Sequence, residues 1–222
     1  MVKPDTLRAV FFDVDGVLLD SLPQHLAFCA EKARQYGLFE LQMPTVAVFK
    51  RMVKHGISVS PMLNFFLAVG FPPLLAERGV EEYEREFSRG HRPEPFPGIE
   101  QMLVRLHGAG IALGLVTSNT RANVEPALSA VMPYFDPACL FYFDRQVQSQ
   151  DKAWCLAEGS RVLQLEASQS VYVGDQPADA VAAQAAGWHF LGVSYGWGFE
   201  VGEQSLPMAA SVPAIAEQLL AD

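Results

Sequence analysis

Acidic side chains follow two of the short apolar runs in this sequence. Asp13 and Asp15 stand at the end of the first run, and Asp175 and Asp179 follow a later one. Four carboxylates in one place repel one another and raise one another's pKa unless a cation lies among them. Because no His or Cys stands at these positions, the ligands are all oxygen, which suits a hard ion such as Mg²⁺. The pattern therefore predicts a Mg²⁺ site formed by these four residues.

Two further polar side chains stand beside apolar runs. Thr117 ends the run that begins at Ile111, and Lys152 stands at the start of a helix-period segment. A carboxylate beside Mg²⁺ and a lysine can attack phosphoryl groups, so Asp13 could form an aspartyl phosphate. Asp15 could act as general acid and base once the chain turns back after the strand. Thr117 and Lys152 would supply a hydroxyl and a positive charge to the phosphoryl oxygens.

Each of these residues also has an ordinary structural explanation. An aspartate after a strand often caps a helix, and an acid in the first helical turn is favoured by the helix dipole. Lys152, taken alone, is typical of a surface lysine. The order of the features favours the functional interpretation, because each one stands at the end of a strand and ligands of open parallel sheets bind beyond those ends.

The elements that would position these groups alternate along the chain. The apolar runs are typical of strands buried on both faces, and they are Arg8–Asp13, Ile111–Thr117, Ala138–Phe143, Ser170–Gly174 and His189–Val193. The helix-period segments between them are Ile99–His107, Arg121–Val131, Lys152–Leu165 and Ala178–Ala186. This alternation predicts an α/β fold with a doubly wound, parallel, Rossmann-like sheet.

Residues 21–91 have a different character. Their helix-period stretches are Leu26–Tyr36, Thr45–Lys54, Pro61–Val69 and Val80–Ser88, with no convincing strand. Residues 22–92 carry a charge balance of +2, whereas the rest of the chain carries −11. We therefore predict an all-helical cap over residues 21–91, inserted into a core of residues 1–20 and 92–222. Three prolines within His91–Gly98 would stiffen the return to the core.

Length and composition exclude several classes of protein. The chain has 222 residues, 50% of them apolar, which is enough for a sizeable core and argues against extended disorder. A net charge of −9 argues against nucleic acid or an anionic membrane as a partner. The three cysteines have no paired spacing and are expected as small buried groups. No apolar run is long enough for a membrane helix, and the N-terminus is unlike a signal peptide, so a cytoplasmic protein is expected.

Taken in order, the motifs resemble those of the haloacid dehalogenase superfamily of phosphohydrolases. Asp13–Ser21 (DVDGVLLDS) is similar to the first motif and Val116–Asn119 (VTSN) to the second. Lys152 is similar to the third motif and Gly174–Asp179 (GDQPAD) to the fourth. The resemblance covers nearly the whole chain and includes a helical cap inserted after the first motif.

The resemblance assigns roles to the charged residues. It implies that Asp13 is the nucleophile and a Mg²⁺ ligand, and that Asp15 is the general acid and base, binding the ion through its backbone carbonyl. Asp175 is implied as a further ligand, and Asp179 as the residue that orients Lys152 or the metal shell. The dehalogenases of the family lack the second aspartate, so Asp15 favours phosphate chemistry over cleavage of a carbon–halogen bond.

The remaining motif residues match the family in part. Thr117, with the backbone of Ser118 and Asn119, is implied to hold the phosphoryl group. The family's lysine is usually followed by proline, whereas Ala153 stands here. The fourth motif has Gln176-Pro177 where small polar residues are more usual. This second departure leaves both aspartates in place but could reshape their loop.

The cap is expected to select the substrate, because the core treats a phosphoryl group alike whatever it is attached to. A basic cluster stands before Gly56, where the family has a substrate-specificity loop, and it consists of Lys50, Arg51, Lys54 and His55. We expect Arg51, Lys54 and His55 to bind substrate. A solvated basic face explains this cluster equally well. His25 lies at the entrance of the cap, where the family's β-phosphoglucomutases carry a working histidine, and is a further candidate for substrate binding.

These features predict Mg²⁺-dependent hydrolysis of a small organic phosphate monoester, similar to that of phosphoglycolate phosphatases. A phosphomutase of the β-phosphoglucomutase type is the alternative, and a non-catalytic binding protein on the same scaffold is a third possibility. The expected partner is a small phosphorylated metabolite. The chain is expected to be a monomer or a homodimer.

Overall fold

The computed structural model describes residues 7–143, 151–199 and 206–221. The strands in this part of the chain are β1 (Ala9–Phe12), β2 (Leu19–Asp20), β3 (Glu94–Pro95), β4 (Ala112–Val116), β5 (Leu140–Phe141), β6 (Ser170–Gly174), β7 (His189–Val193) and β8 (Met208–Ala209). Six of them form a parallel sheet in the order β5-β4-β1-β6-β7-β8. The other two, β2 and β3, form an antiparallel ribbon.

Helices surround the sheet and form the insertion. They are α1 (Leu22–Gln35), α2 (Val46–Lys54), α3 (Met62–Val69), α4 (Pro73–Gly90), α5 (Ile99–Gly108), α6 (Arg121–Leu128), α7 (Lys152–Leu163), α8 (Pro177–Ala185) and α9 (Val212–Leu220). Helices α1–α4 follow one another between β2 and β3, whereas α5–α9 are interspersed with the strands of the main sheet. The predicted α/β fold with an inserted helical cap is confirmed.

The first strand lies at the centre of the sheet. All four of its residues are apolar and fully buried, and it pairs with β4 on one side and β6 on the other. Phe12 stands opposite both Leu115 and Val173. Helices cover both faces of a parallel sheet, so its central strands carry apolar side chains on both sides. Gly114 leaves room for the ring of Phe11, which a Cβ at that position would overlap.

The cap helices pack around aromatic rings. The fully buried rings include Phe28, Phe65, Phe66 and Phe87. Helix α2 begins where the hydroxyl of Thr45 accepts a hydrogen bond from the N–H of Val48. Its buried residues Phe49 and Val53, one turn apart, join this cluster. Trp197, from the core loop after β7, packs into the same cluster, so the interior of the cap is completed by a residue of the core.

The cap is joined to the core by two adjacent connections. The chain leaves the core along β2 and returns along β3, and the N–H of Phe96 donates to the carbonyl of Leu18 at 3.0 Å. A further contact lies away from this joint, where Nζ of Lys50 donates to the carbonyl of Tyr195 at 2.9 Å. The structure therefore shows a cap that is docked on the core.

Several element boundaries differ from those expected. Only β5 forms within the predicted strand Ala138–Phe143, because a 3₁₀ turn at Pro137–Cys139 occupies its first residues. The helix predicted at Val80–Ser88 begins at Pro73, whose fixed φ suits a first helical turn. Strand β8 and helix α9 are absent from the sequence-based prediction.

Other expectations concern the chain as a whole. The three cysteines, Cys29, Cys139 and Cys155, are buried and unpaired, as predicted. Within the described ranges, no helix combines the length and the apolarity needed to cross a membrane. The predicted core ranges also include residues 1–6, 144–150, 200–205 and 222, which lie outside the described residues.

Candidate active site

Three neighbouring strands end at the candidate site. Asp13 follows β1, Thr117 follows β4 and Asp175 follows β6. Because these strands are adjacent and parallel, their carboxyl ends lie side by side. All three side chains are buried. The N–H of Val14 donates to Oδ1 of Asp13 at 2.8 Å, which holds this carboxylate at the end of its strand.

Lys152 connects two of the carboxylates. It is the first residue of α7, whose N-cap Asp151 accepts a hydrogen bond from the N–H of Trp154. Its Nζ lies 2.9 Å from Oδ2 of Asp13 and 2.7 Å from Oδ1 of Asp179. Burial alone would lower the pKa of Lys152, but the two carboxylates raise it well above its usual value. Lys152 is therefore a fixed positive charge at the edge of the sheet.

Asp179, in the first turn of α8, has both of its carboxylate oxygens engaged. Oδ2 accepts the N–H of Asp175 at 3.1 Å and that of Gln176 at 3.0 Å, while Oδ1 faces Lys152. A Cβ at Gly174 would overlap the side chain of Asp179, so this position requires glycine. Asp179 therefore connects the loop after β6 to Lys152.

The loop after β7 fixes the orientation of Asp175. Its Oδ2 accepts the N–H of Trp197 at 2.6 Å, and its Oδ1 is buried without a hydrogen-bond partner among the described residues. Gly16 and Gly196 pack closely against this carboxylate, and a Cβ at either position would overlap it. Burial, together with the two neighbouring aspartates, raises the pKa of Asp175 well above its usual value.

The carboxylates form a cluster that fits a metal ion. One oxygen from each of Asp13, Asp175 and Asp179 lies within 4.8 Å of the others. Burial is the main reason that the pKa of Asp13 is raised to about 7, against the opposing effect of Lys152. A buried acidic cluster with an unpartnered oxygen suits a small cation that prefers oxygen ligands, such as Mg²⁺. The carboxylate of Asp15, which was also predicted as a ligand, is not part of this cluster of described residues.

Asp15 is instead held by hydrogen bonds that reach into the cap. Nδ2 of Asn119 donates to Oδ2 of Asp15 at 3.0 Å, and the hydroxyl of Tyr83 donates to Oδ1 of Asn119 at 3.2 Å. Nε2 of His25 lies 3.0 Å from the Tyr83 hydroxyl oxygen and 3.8 Å from Oδ1 of Asp15. Because the Tyr83 proton is directed at Asn119, His25 donates from Nε2. Oδ1 of Asp15 is buried and has no hydrogen-bond partner in the described structure.

Sequence reasoning included His25 in the site but missed Tyr83. The ring of His25 lies 5.5 Å from that of Phe65, 5.0 Å from that of Phe87 and 5.8 Å from that of Trp197. Burial among these rings lowers the pKa of His25, against the opposing effect of Asp15. Tyr83 belongs to a helix-period segment, and the period alone does not tell which residue of α4 meets the core.

A cavity of about 60 Å³ lies between the sheet edge and the cap. Its core side is lined by Asp13, Asp15, Thr117, Ser118, Asn119, Lys152, Gln176 and Trp197. Its cap side is lined by His25, Val59, Ser60, Met62, Phe65 and Tyr83. The structure thus brings the four predicted catalytic residues together with Ser118, Asn119 and His25 around one cavity.

The predicted basic cluster of the cap lies elsewhere. Helix α2 buries Phe49 and Val53, so its basic residues lie on other faces of the helix. Arg51 and His55 are exposed, and Nδ1 of His55 lies 2.6 Å from the carbonyl of Arg51. Neither these two residues nor Lys54 lines the cavity formed by the described residues. The role of this cluster in binding substrate therefore stays a prediction, and in the described structure the cluster lies outside the cavity.

The sequence of this chain is similar to those of known hydrolases. The family model described as haloacid dehalogenase-like hydrolase matches residues 10–193. A relative named phosphoglycolate phosphatase, from Xanthomonas campestris pv. campestris, is 31% identical over 216 residues, which cover 95% of this chain and 92% of the relative. A protein of the same name from Nitrosospira multiformis is 27% identical and covers 96% of this chain and 95% of its own length.

Solved structures share the architecture. A haloacid dehalogenase-like family hydrolase from Streptococcus pneumoniae superposes with a TM-score of 0.75 at 19% identity, over 96% of this chain and 98% of its own. A subfamily IA hydrolase of the same superfamily, from Geobacter sulfurreducens, gives 0.66 at 21% identity, over 96% of both chains. These likenesses concern the fold, whereas the family model spans most of the sequence. The chain belongs to the haloacid dehalogenase-like hydrolase family and is a phosphatase within it.

Proposed function

We propose that this enzyme hydrolyses the phosphate monoester of a small organic alcohol through an aspartyl phosphate on Asp13. The observation that carries the proposal is the position of Lys152, whose Nζ lies 2.9 Å from Oδ2 of Asp13 at the wall of the cavity between the sheet edge and the cap. A carboxylate that attacks an anionic phosphoryl group needs a nearby cation, because the two negative charges would otherwise repel. Thr117 lines the same cavity, and its hydroxyl would bind a phosphoryl oxygen.

The first half of the reaction transfers the phosphoryl group to the enzyme. A carboxylate oxygen of Asp13 attacks phosphorus, and the ester P–O bond breaks as the new bond forms. The electron pair of the broken bond goes to the leaving oxygen, which takes a proton from Asp15. Oδ1 of Asp15 is free of hydrogen bonds in the described structure, whereas Oδ2 is held by Asn119. One oxygen therefore orients the carboxyl group and the other is available for proton transfer.

The second half of the reaction releases inorganic phosphate. Asp15, now a carboxylate, takes a proton from a water molecule as that water attacks phosphorus. The bond between phosphorus and Asp13 breaks, and the carboxylate is restored. Enclosure of the cavity by the cap would exclude other water until the alcohol has left.

Mg²⁺ is the cofactor that we propose. Asp13 and Asp175 would hold it, with the backbone carbonyl of Asp15 as a further ligand. When bound, Mg²⁺ would neutralise negative charge on the carboxylates and on the phosphoryl oxygens. The unpartnered Oδ1 of Asp175 supports this assignment, because a buried carboxylate oxygen without a partner is costly. Ca²⁺ should substitute poorly, since it accepts bidentate carboxylates and higher coordination numbers.

The substrate is proposed to be a small phosphorylated metabolite. Relatives that carry the name phosphoglycolate phosphatase make phosphoglycolate one of the first esters to test. We also propose a cytoplasmic location, which is supported by three cysteines that remain free thiols. A monomer and a homodimer are both compatible with the proposed chemistry.

The experiment that tests this function measures release of inorganic phosphate from a panel of phosphate esters, with Mg²⁺ and with excess chelator. We expect turnover that chelator abolishes and added Mg²⁺ restores. Full activity in chelator would remove the metal from the proposal. The phosphomutase alternative predicts the opposite pattern for sugar phosphates, with dependence on a bisphosphate activator and little release of inorganic phosphate.

A further inference from the structure

The two sides of the active-site cavity differ in charge. Lys152 is the one lysine or arginine among the described residues that line it, and Asp13 and Asp179 already hold this side chain. The cap side carries no lysine or arginine among the described residues, and it is lined by Val59, Ser60, Met62, Phe65, Tyr83 and His25. The part of the substrate that leaves, which lies toward the cap, therefore meets no free cation in the described structure.

The surroundings of the cavity are also poor in positive charge. A groove of about 440 Å³ runs between α3, α4 and the loop after β4, and it shares Met62, Tyr83 and Asn119 with the cavity. The charged residues that line it within the described ranges are Glu77, Glu81 and Glu84. An anionic group that extended from the cavity toward the cap would therefore approach carboxylates.

Two lysines of the cap make contacts away from the cavity. Nζ of Lys32 lies 2.9 Å from Oε2 of Glu82 and 2.6 Å from Oε2 of Glu86, inside the cap. Nζ of Lys50 donates to the carbonyl of Tyr195 and so joins the cap to the core. Lys32 therefore makes contacts within the cap, and Lys50 makes a contact between the cap and the core.

The cavity continues into a second pocket of about 460 Å³. The two share Ser60, Thr117, Ser118, Lys152 and Gln176. The charged residues that line this second pocket within the described ranges are Asp151, Lys152 and Asp179. Its described walls therefore add no further lysine or arginine to the site.

We propose that the enzyme selects phosphate esters of small uncharged alcohols and discriminates against leaving groups that carry a carboxylate. The inference rests on the proposed phosphatase function and specifies its substrate class. Its physical basis is that a carboxylate loses its hydration without compensation when it moves from water to a site whose described residues offer it no cationic partner. In this respect the chain would differ from relatives named after phosphoglycolate, whose leaving alcohol bears a carboxylate.

An isosteric pair of substrates tests charge without changing shape. Phosphoglycolate and its neutral amide, carbamoylmethyl phosphate, have the same number of heavy atoms in the same arrangement. With Mg²⁺ and the full-length protein, we expect kcat/KM for the amide to exceed that for the carboxylate by about tenfold or more, as for an unpaired charge in a buried site.

A charge introduced into the cap side provides the matched variant. Met62 is half-buried and lines the cavity, and its unbranched side chain is similar in length to lysine and glutamine. Met62→Lys should shift the amide-to-carboxylate ratio of kcat/KM toward the carboxylate by at least about fivefold, because it supplies the missing partner. Met62→Gln, which is polar but uncharged, should leave the ratio within about twofold of wild type.

The outcomes separate this inference from the function on which it rests. Equal rates for the two esters, or a preference for phosphoglycolate, would overturn the inference and leave the phosphatase intact. Hydrolysis of p-nitrophenyl phosphate without hydrolysis of either small ester would also overturn it. Failure to hydrolyse any of the three esters with Mg²⁺ present would instead contradict the proposed function.

Discussion

The edge of the sheet and the cap that covers it are both buried, yet different interactions hold them. At the edge, Asp13, Asp175 and Asp179 gather around Lys152 within hydrogen-bond distance of it or of backbone N–H groups. In the cap, rings such as Phe65 and Phe49, with centroids 4.6 Å apart, fill the interior. The sheet edge is thus held by charged groups in fixed positions, whereas the cap is held by the packing of aromatic rings.

The difference between these regions separates function from stability. Crowding of carboxylates in a buried site lowers the stability of the metal-free folded state, as the raised pKa of Asp13 and of Asp175 indicates. Aromatic packing in the cap contributes stability through burial of apolar surface. Substitutions at the edge should therefore remove activity with little loss of stability. Charge changes on the surface of the cap should alter neither activity nor stability.

The largest effect is expected at the nucleophile. Asp13→Asn should lower kcat by more than about a thousandfold, because an amide cannot form the acyl phosphate. The fold should survive, since the asparagine Oδ1 can still accept the N–H of Val14. Steady-state kinetics and circular dichroism check both parts. Retention of more than about a tenth of the wild-type rate, a barrier change of only about 1.4 kcal/mol, would remove Asp13 from this role.

Asp175→Asn should have opposite effects on activity and on stability. We expect a large loss of Mg²⁺-dependent turnover together with a gain of about 1 kcal/mol in the unfolding free energy of the metal-free protein, because a buried charge is removed. The folded-state pKa of Asp175 is raised, so ionisation costs stability as pH rises above its usual value. Metal-free wild type should thus lose stability between acidic and neutral pH more steeply than the variant. Thermal denaturation with chelator and with Mg²⁺ measures this, and equal Mg²⁺ stabilisation of both proteins would exclude Asp175 as a ligand.

A smaller effect is expected where the two regions meet. Tyr83→Phe removes the hydroxyl that links His25 to Asn119 and, through it, orients Asp15. One lost hydrogen bond of about 1 kcal/mol should lower kcat by about fivefold while KM changes little. The pH dependence of kcat should change as well, because the surroundings of Asp15 change.

The control for this variant is Tyr134→Phe, a tyrosine of the core whose ring contacts His107 far from the cavity. It should have wild-type kinetics. An unchanged pH profile and kcat in Tyr83→Phe would show that the hydrogen-bond chain does not position the acid.

The smallest effect is expected for the basic cluster on α2. Replacing both Arg51 and Lys54 by alanine should change kcat/KM by less than about twofold, because neither residue lines the cavity. The matched control replaces Arg85 and Arg89 on α4 by alanine. It tests whether positive charge in the cap affects kcat/KM at long range. A loss of about tenfold or more in the first pair alone would mean that α2 moves over the substrate during turnover.

Much of the core could be predicted from sequence because its elements have strong local patterns. Each predicted strand at Arg8–Asp13 or Ser170–Gly174 is a short apolar run, and the polar residues at its end mark the edge where the site forms. Helix α9 could also have been found, since Val212, Ile215 and Leu219 recur at helical spacing and are buried. Strand β8 has two residues, which is too short for a periodic signal.

The cap side of the site could not be predicted in the same way. Whether Tyr83 or Arg51 faces the cavity depends on how four helices pack and on where the cap docks, and neither is encoded in a local pattern. Charge balance predicts that Arg51 and Lys54 face the acidic core, whereas burial shows only that Phe49 and Val53 form the apolar face of α2. Neither pattern tells which of the remaining side chains of α2 lies over the site.

The most direct test of the account is to trap the phosphorylated enzyme. Wild-type protein would be quenched during turnover with Mg²⁺ and its best ester, reduced with borohydride and mapped by peptide mass spectrometry. An aspartyl phosphate is reduced to homoserine, whereas a free carboxylate is not. We predict homoserine at position 13 and at no other aspartate, and none in protein quenched without ester. Release of phosphate without modification at position 13, or modification at Asp15 or Asp175 instead, would contradict the assignment of Asp13 as the nucleophile.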